Sequence, residues 1–276
     1  MEKVKYIVFK DDDLLSEAQE ISFYTGVPAV SYDDFFAKNY ESKFFYFYIN
    51  KESYELRKYN SSEKGISADF FSGKIKQMIR TKSVKNPLAK AVGIKGGKTY
   101  KPFIADLTAG LGKDSFFLYS LGAKVAGFER NPFLYYLLKK GVNMYFKESS
   151  NNKNLDFFCL DSHCFFQDEE ITEKIHTKNK NEFLEFSGDL SPDVLYLDPM
   201  YPGSSRKKSK PKKEMVFLRE LTGGDYDSPA LFKAVRKKNI KVVVKRPVFA
   251  DYIAHGLKPS YKIESKLVRY DVYMPD

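Results

Sequence analysis

Cysteine is nearly absent: Cys159 and Cys164 are the only two in 276 residues. A disulfide scaffold is therefore excluded, and a reducing compartment is the expectation. Histidine is equally sparse. His163, His176 and His255 are scattered, and although His163 lies between the two cysteines, no second ligand pair follows to complete a zinc site. No metal is expected. Long apolar runs are missing too. Phe44 to Ile49, the most continuous one, is far too short to cross a bilayer. The opening MEKVKYIVFKDDD breaks its short apolar stretch with three Asp, unlike a signal peptide. The expectation is a soluble, cytoplasmic chain with no membrane partner. No nucleophile-elbow pattern occurs, which argues against a serine hydrolase. Negative charge is in deficit, 36 Asp+Glu against 46 Lys+Arg, for a formal charge of +10. That excess makes a polyanion such as nucleic acid a natural partner.

What is present describes a globular protein: 43% hydrophobic residues, 16% of the chain aromatic. Residues 1 to about 60 read as a small α/β block, with strands at Val4–Phe9, Pro28–Tyr32 and Phe44–Ile49 and a short helix from Asp13. A polar, glycine-dotted stretch follows, with a helix around Pro87–Val92. Its Gly96-Gly97-Lys98-Thr99 resembles a phosphate-binding loop, but the glycine required five positions before Gly97 is Val92. Gly93 is one residue too close, and the loop follows a helix instead of a strand, so a nucleoside triphosphatase is rejected. From Lys101 onward strands and helices alternate. Strands are predicted at Phe103–Asp106, Lys124–Glu129, Leu155–Leu160, Val194–Leu197 and Lys241–Val244, with two more between Tyr261 and Met274. Helices are predicted at Asp114–Leu121, Pro132–Lys140 and Ser228–Lys238, and residues 167–182 are helical or looped. Such alternation predicts a mostly parallel sheet whose ligands lie beyond the strands' C-terminal ends.

The distinctive residues fall at those ends. Asp106 closes one strand and leads into Leu107-Thr108-Ala109-Gly110-Leu111-Gly112, where two glycines permit a tight turn and a close backbone approach to a ligand. A dinucleotide site wants a third small residue where Ser115 stands, so an adenosine bearing a compact zwitterionic tail, S-adenosylmethionine (SAM), fits better. An ordinary strand-to-helix turn has the same spacing. Glu129 can accept from both ribose hydroxyls, or be a surface acid paired with Arg130. Asp161 and Ser162 can meet an adenine amine, or cap the following segment.

Asp198-Pro199-Met200-Tyr201-Pro202 is the most telling element. An exocyclic amine on a base is a poor nucleophile because its lone pair is delocalised into the ring. A carboxylate and a carbonyl that both accept from its protons can draw the nitrogen toward tetrahedral geometry. Asp198 and the Pro199 carbonyl supply these acceptors, and Tyr201 offers a face for an extruded base. Aminomethyltransferases use Asp/Asn-Pro-Pro-aromatic in this place; Met200 stands for the second Pro. Alone, the tetrapeptide is equally a stiffened turn. Beyond it, six of the eight residues from Arg206 to Lys213 are basic, namely Arg206, Lys207, Lys208, Lys210, Lys212 and Lys213. A solvated loop reads the same way, but the position beside an acceptor pocket suits RNA phosphates, with Lys245 and Arg246 adding charge on the same rim.

With these residues in view, the chain resembles the ribosomal RNA small subunit methyltransferase J family. The resemblance rests on Ala89 to Gly96, Asp106 to Asp114, Glu129 to Pro132, Val194 to Pro202, Lys212 to Met215, Val242 to Pro247 and Arg269 to Tyr273, in that order, with only Glu55 to Lys58 matching in the first block. It implies a Rossmann-like class I methyltransferase fold over residues 63–276, with a mostly parallel seven-stranded sheet, behind a small N-terminal α/β domain over residues 1–62. It also implies transfer of a methyl group from SAM, leaving S-adenosylhomocysteine, to a guanine exocyclic amine in small-subunit (16S) ribosomal RNA. SAM contacts are implied at Lys113, Asp114, Glu129, Arg130, Asp161, Ser162 and Asp198. Asp161 stands where the family often has serine, and the basic loop is more lysine-rich. Two rivals stay open: an aminomethyltransferase acting on DNA or protein, and a non-catalytic RNA-binding assembly factor.

Overall fold

The computed structural model describes residues 3–71, 77, 84–95, 101–146, 154–163, 191–200 and 213–276. The chain forms two compact units. The first comprises Met1–Asp69, Asn131–Glu148 and Ser204–Gly223; the second comprises Phe70–Arg130, Ser149–Gly203 and Gly224–Asp276. The seam expected at residue 62 thus falls inside the first unit, which also takes in two later segments.

In the first unit, strands β1 (Val4–Phe9), β2 (Ala29–Ser31), β3 (Phe45–Ile49) and β4 (Tyr54–Lys58) form a sheet in the order β2-β1-β3-β4. β1 runs parallel to both neighbours, and β4 pairs antiparallel with β3. Helix α1 (Leu15–Thr25) follows a 3-10 turn at Asp12–Leu14, and α2 (Tyr32–Ala37) is capped by the Ser31 hydroxyl, which accepts from the Asp34 amide. Every residue of β3 is buried. Its sequence is continuously aromatic and apolar because both faces are covered, the condition that removes alternation from a strand. Tyr46 and Tyr48 belong to a cluster around the fully buried Phe35. On the other face Phe47 meets Phe133 at 5.4 Å between ring centroids, and Phe45 meets Phe217 at 5.1 Å. Those two partners sit on α5 (Pro132–Phe146) and α6 (Lys213–Thr222).

The second unit is built on a sheet that contains, among the described residues, seven strands. They are β5 (Phe103–Asp106), β6 (Lys124–Glu129), β7 (Leu155–Cys159), β8 (Val194–Leu197), β9 (Lys241–Pro247), β10 (Tyr261–Glu264) and β11 (Val268–Tyr273). Their order is β10-β11-β9-β8-β5-β6-β7. Contacts from β7 through β9 are all parallel, while β11 pairs antiparallel with β9 and with β10. Numbered from β5, the order is 3-2-1-4-5-7-6, the mostly parallel class I methyltransferase arrangement. β5 lies between β6 and β8, so the strand order reverses there, and the crevice beyond their C-terminal ends is where an open α/β sheet receives its ligand. Helices α3 (Pro87–Val92), α4 (Lys113–Ser120) and α7 (Ser228–Arg236) belong to this unit. The core packs Leu195, Leu197, Val242 and Val244 of the central strands against Leu231, Phe232 and Val235 of α7. Fully burying such side chains contributes about 1.5–3 kcal/mol each, which is why the strands that carry the site are its most apolar segments.

The rim beyond β9 is held by two buried arginines. Arg269 donates to both carboxylate oxygens of Asp271, at 2.8 and 3.1 Å, and to the carbonyls of Pro247, Val248 and Ala250. Arg246 donates to the Asp251 carbonyl through Nε and Nη2, at 3.1 and 2.8 Å. A planar guanidinium with five donors suits such a clamp because each buried N–H needs an acceptor.

Candidate active site

The glycine loop between β5 and α4 is stitched to three other strand ends. Leu107 and Ala109 donate their amides to the carbonyls of Tyr196 on β8 and Phe128 on β6, each at 2.9 Å. The Gly110 amide donates to the Glu129 carboxylate at 2.9 Å, which fixes that side chain at the end of β6. The Ser162 hydroxyl donates to the Leu107 carbonyl at 2.7 Å, and the Asp198 amide donates to the Thr108 hydroxyl at 2.6 Å. Gly110 and Gly112 adopt φ of +56° and +69°. A side chain in this left-handed region would strain the turn, which is the reason for glycine at both places.

Asp106 is 2% exposed. Its oxygens accept from the Thr108 amide at 3.2 Å and from the Ser115 hydroxyl. Asp106, a candidate cofactor contact by its place at the strand end, has almost no exposed surface and braces the loop from behind. Burial pushes its carboxyl up to about 7, against the pull of those two hydrogen bonds and with a further push from Asp114 and Asp198.

At the centre, the Lys245 ammonium bridges Asp114 at 2.7 Å and Asp198 at 2.8 Å, and the Tyr196 hydroxyl donates to Asp114 at 2.6 Å. Burial by itself would discharge Lys245, but the two carboxylates more than offset it and hold the amine well above its usual range. Asp114 is desolvated too, yet the charge and hydrogen bond of Lys245 and the bond from Tyr196 bring it below the usual carboxylate range. Asp198 is raised, by desolvation first, with Lys245 pulling against it and Asp114 adding to it. Its side chain nevertheless keeps 38% exposure, so it reaches the crevice. Lys245 was expected among cations facing RNA; here its ammonium is engaged by two carboxylates. Arg246, expected beside it, is 4% exposed and turned into the rim clamp. The alternation of a strand explains the pair: successive residues of β9 point to opposite faces.

The acceptor turn is anchored a second time. Asp225 accepts from the Met200 amide at 2.6 Å and returns its own amide to the Met200 carbonyl at 3.2 Å. Arg130 bridges Asp225 and Asp227, with the Asp225 contact at 2.7 Å. His163 links this group to the end of β7: its Nδ1 lies 3.1 Å from Asp161, and its Nε2 lies 3.3 Å from the Asp227 carbonyl. Asp161 itself is 41% exposed. Thr108, Tyr196, Asp225 and Asp227 were not singled out from the sequence. Asp225-Tyr226-Asp227-Ser228-Pro229 reads there as the start of a helix, and nothing in it signals a clasp on residue 200.

Tyr201, Arg206, Lys207, Lys208, Lys210, Lys212, Cys164, the Gly96–Thr99 motif and residues 167–182 lie outside the described residues. Lys213 opens α6 in the first unit. Cys159 is half-buried, and burial, with the Glu129 charge added, pushes its thiol up to about 12, so it is no nucleophile. Among the described residues no group of three or more His, Cys, Asp or Glu is placed to hold a metal ion, and no helix is long and apolar enough to cross a membrane.

A family model described as a putative SAM-dependent methyltransferase matches residues 33–275. The ribosomal RNA small subunit methyltransferase J of Buchnera aphidicola subsp. Schizaphis graminum is 36% identical over 249 residues, 88% of this chain and 91% of that one. The chain belongs to the ribosomal RNA small subunit methyltransferase J family. A second member, from Idiomarina loihiensis, is 37% identical over 211 residues, 75% of this chain and 72% of its own. The crystal structure of the SAM-dependent methyltransferase NGO1261 from Neisseria gonorrhoeae superposes with a TM-score of 0.63 at 26% identity, covering 98% of this chain and 96% of that one. Methyltransferase J members are SAM-dependent enzymes, and the residues of this chain suit that donor. Two glycines free a stretch of loop backbone, an oriented carboxylate ends β6, and an exposed acid follows β7, which together match a zwitterionic tail, a ribose and an adenine amine.

Proposed function

We propose that this enzyme methylates the exocyclic amine of a guanine in small-subunit ribosomal RNA. The observation that carries the proposal is the doubly anchored turn at Asp198–Met200, whose carboxylate is gripped by Lys245 at 2.8 Å and whose backbone is tied to the glycine loop through Thr108 at 2.6 Å. The names of the relatives from Buchnera and Idiomarina support the RNA.

When bound, SAM supplies an electrophilic methyl group already attached to a good leaving group. The backbone of Gly110–Gly112 and Lys113 receives its tail, Glu129 accepts from the ribose hydroxyls, and Asp161 accepts from the adenine amine. Ser162 serves through its hydroxyl by holding Leu107, and Arg130 serves by holding Asp225. Asp198 and the Pro199 carbonyl each accept one proton of the guanine amine, which turns the nitrogen lone pair out of the ring plane. Desolvation raises the Asp198 carboxyl, and Lys245 works against it in favour of the anion, the form that accepts. The same carboxylate can take the proton that nitrogen sheds. Tyr201 stacks on the base, and Arg206, Lys207, Lys208, Lys210, Lys212 and Lys213 take the phosphates. Holding the two reactants in line can lower the barrier by about 7–11 kcal/mol.

Supplying methyl-labelled SAM with deproteinised small-subunit RNA, genomic DNA and a protein extract tests the reading. Label is expected in RNA alone, recovered as a guanosine methylated on its exocyclic nitrogen. Label in DNA or protein would overturn it, and bound SAM with no transfer to any acceptor would leave the assembly-factor reading.

A further inference from the structure

Residues 1–69 are acidic as a block, with nine Lys+Arg against thirteen Asp+Glu. Four of those nine cations nevertheless line a single cleft of about 540 Å³ in the first unit: Lys3, Lys5, Lys43 and Lys58. Two carboxylates share the wall, Glu63 and Glu220. The Lys58 ammonium takes up both, at 2.7 and 2.6 Å, while lying 5.1 Å from the ring centre of Phe217 and 5.6 Å from that of Phe45. Lys3 donates to the Glu220 carbonyl. Lys5 and Lys43 are exposed, and the charge of Lys43 helps to hold the Glu63 carboxyl below its usual range, after the larger effect of Lys58. Phe44, half-buried, adds an aromatic surface beside them. The cleft therefore carries an excess of two positive charges, with Lys5 and Lys43 exposed, in a block whose remaining charge is negative.

We propose that this cleft is a second RNA-binding site, one that grips the phosphodiester backbone of the ribosomal RNA substrate through Lys5 and Lys43. The proposal rests on the substrate class proposed above. Two further observations favour a polyanionic strand over a small ligand. The volume exceeds what a single phosphate needs, and a cationic groove with an aromatic wall is the combination that tracks a single strand. In sequence, Lys213, the last residue of the Arg206–Lys213 run, opens the helix α6 that contributes Glu220. An acidic surround also keeps RNA from settling elsewhere on the block, because like charges disfavour the wrong register.

The test uses the full chain and a fluorescently labelled fragment of small-subunit RNA, titrated over a range of KCl concentrations, with methyl transfer measured in parallel. Replacing both side chains (Lys5→Gln with Lys43→Gln) is expected to weaken RNA binding about tenfold and to lower the salt slope by about one to two. KM for RNA should rise, with kcat and the affinity for SAM unchanged. The charge-keeping pair, Lys5→Arg with Lys43→Arg, should bind as the parent does, which separates charge from folding. Glu63→Gln, which removes a competing carboxylate, should tighten binding. A double glutamine variant with an unchanged slope, while the parent binds and methylates RNA, overturns the second site and leaves the function standing. Equal competition by polyglutamate would make the occupant an acidic peptide and overturn RNA. A parent that neither binds nor methylates RNA overturns the substrate class itself, and this site with it.

Discussion

Lys245 lies 2.8 Å from Asp198 and 2.7 Å from Asp114, so one ammonium is shared by two carboxylates, one just past the end of β8 and one in the first turn of α4. The pair Lys245–Asp198 links the acceptor turn to β9, and Asp114 links it to the glycine loop's helix. The site is thus coupled electrostatically as well as through backbone hydrogen bonds.

Removing that cation has a defined sign. In Lys245→Met, Asp114 and Asp198 face each other without compensation, and both carboxyls rise. Activity that needs ionised Asp198 is then lost as pH falls, starting from a higher pH than in the parent. The expected result is a loss of about 10²-fold at neutral pH, partly recovered under alkaline conditions. A pH profile of kcat measures it, and an acid limb that stays in place would show that Lys245 does not govern Asp198.

Asp225 acts on the same turn through backbone. Asp225→Ala removes the acceptor of the Met200 amide and one of the two carboxylates that hold Arg130. A turn displaced by about 1 Å can lower turnover ~10²-fold. The affinity for SAM, measured by calorimetry, should change little, and Asp225→Asn should recover part of the loss. Equal losses of turnover and SAM affinity would make Asp225 a general structural support.

Asp106 gives a stability prediction. Its carboxyl, near 7 in the fold, sits above the ordinary unfolded value near 4. The folded state therefore binds the extra proton, so the contribution is fully present below about pH 4 and is lost as pH rises through about 7. Asp106→Asn should flatten that part of the stability curve, by up to about 4 kcal/mol across the window. Urea unfolding at several pH values reads it, and parallel curves for the two proteins would contradict the assignment.

Much of this was legible in sequence. Strand ends at Asp106, Glu129 and Leu197 were marked by short apolar runs closing on an acid, a pattern that burial enforces. β4 and α6 were missed. Tyr54–Lys58 carries three charges on a five-residue strand, and Lys213–Thr222 directly continues a lysine run that reads as a loop. Within the site, Glu129 and Asp198 were singled out because their residue types suit a chemistry. Lys245 was singled out as a cation facing RNA. Its charge was visible at the end of a buried strand, but the two acids that claim it lie 131 and 47 positions away. Asp225 had no signal, since a side chain holding a distant backbone amide leaves no spacing to read.

The rim clamp is testable apart from chemistry. Arg269→Met leaves Asp271, fully buried, without its cation. Breaking such a pair from one side costs about 3–5 kcal/mol. The double variant with Asp271→Leu should be less destabilised than the single, because it removes the stranded charge. Denaturant midpoints for both proteins decide it, and a single variant as stable as the parent would contradict the clamp.

Single-turnover transfer from labelled SAM to small-subunit RNA, comparing the parent with Asp198→Ala, reaches furthest into the chemistry. The expected result is label on the exocyclic nitrogen of guanine for the parent and a rate lower by ~10²-fold or more for a variant that melts normally. A variant that keeps most of the parent's rate, or label on a ring carbon or a ribose, would contradict an acceptor amine held by Asp198.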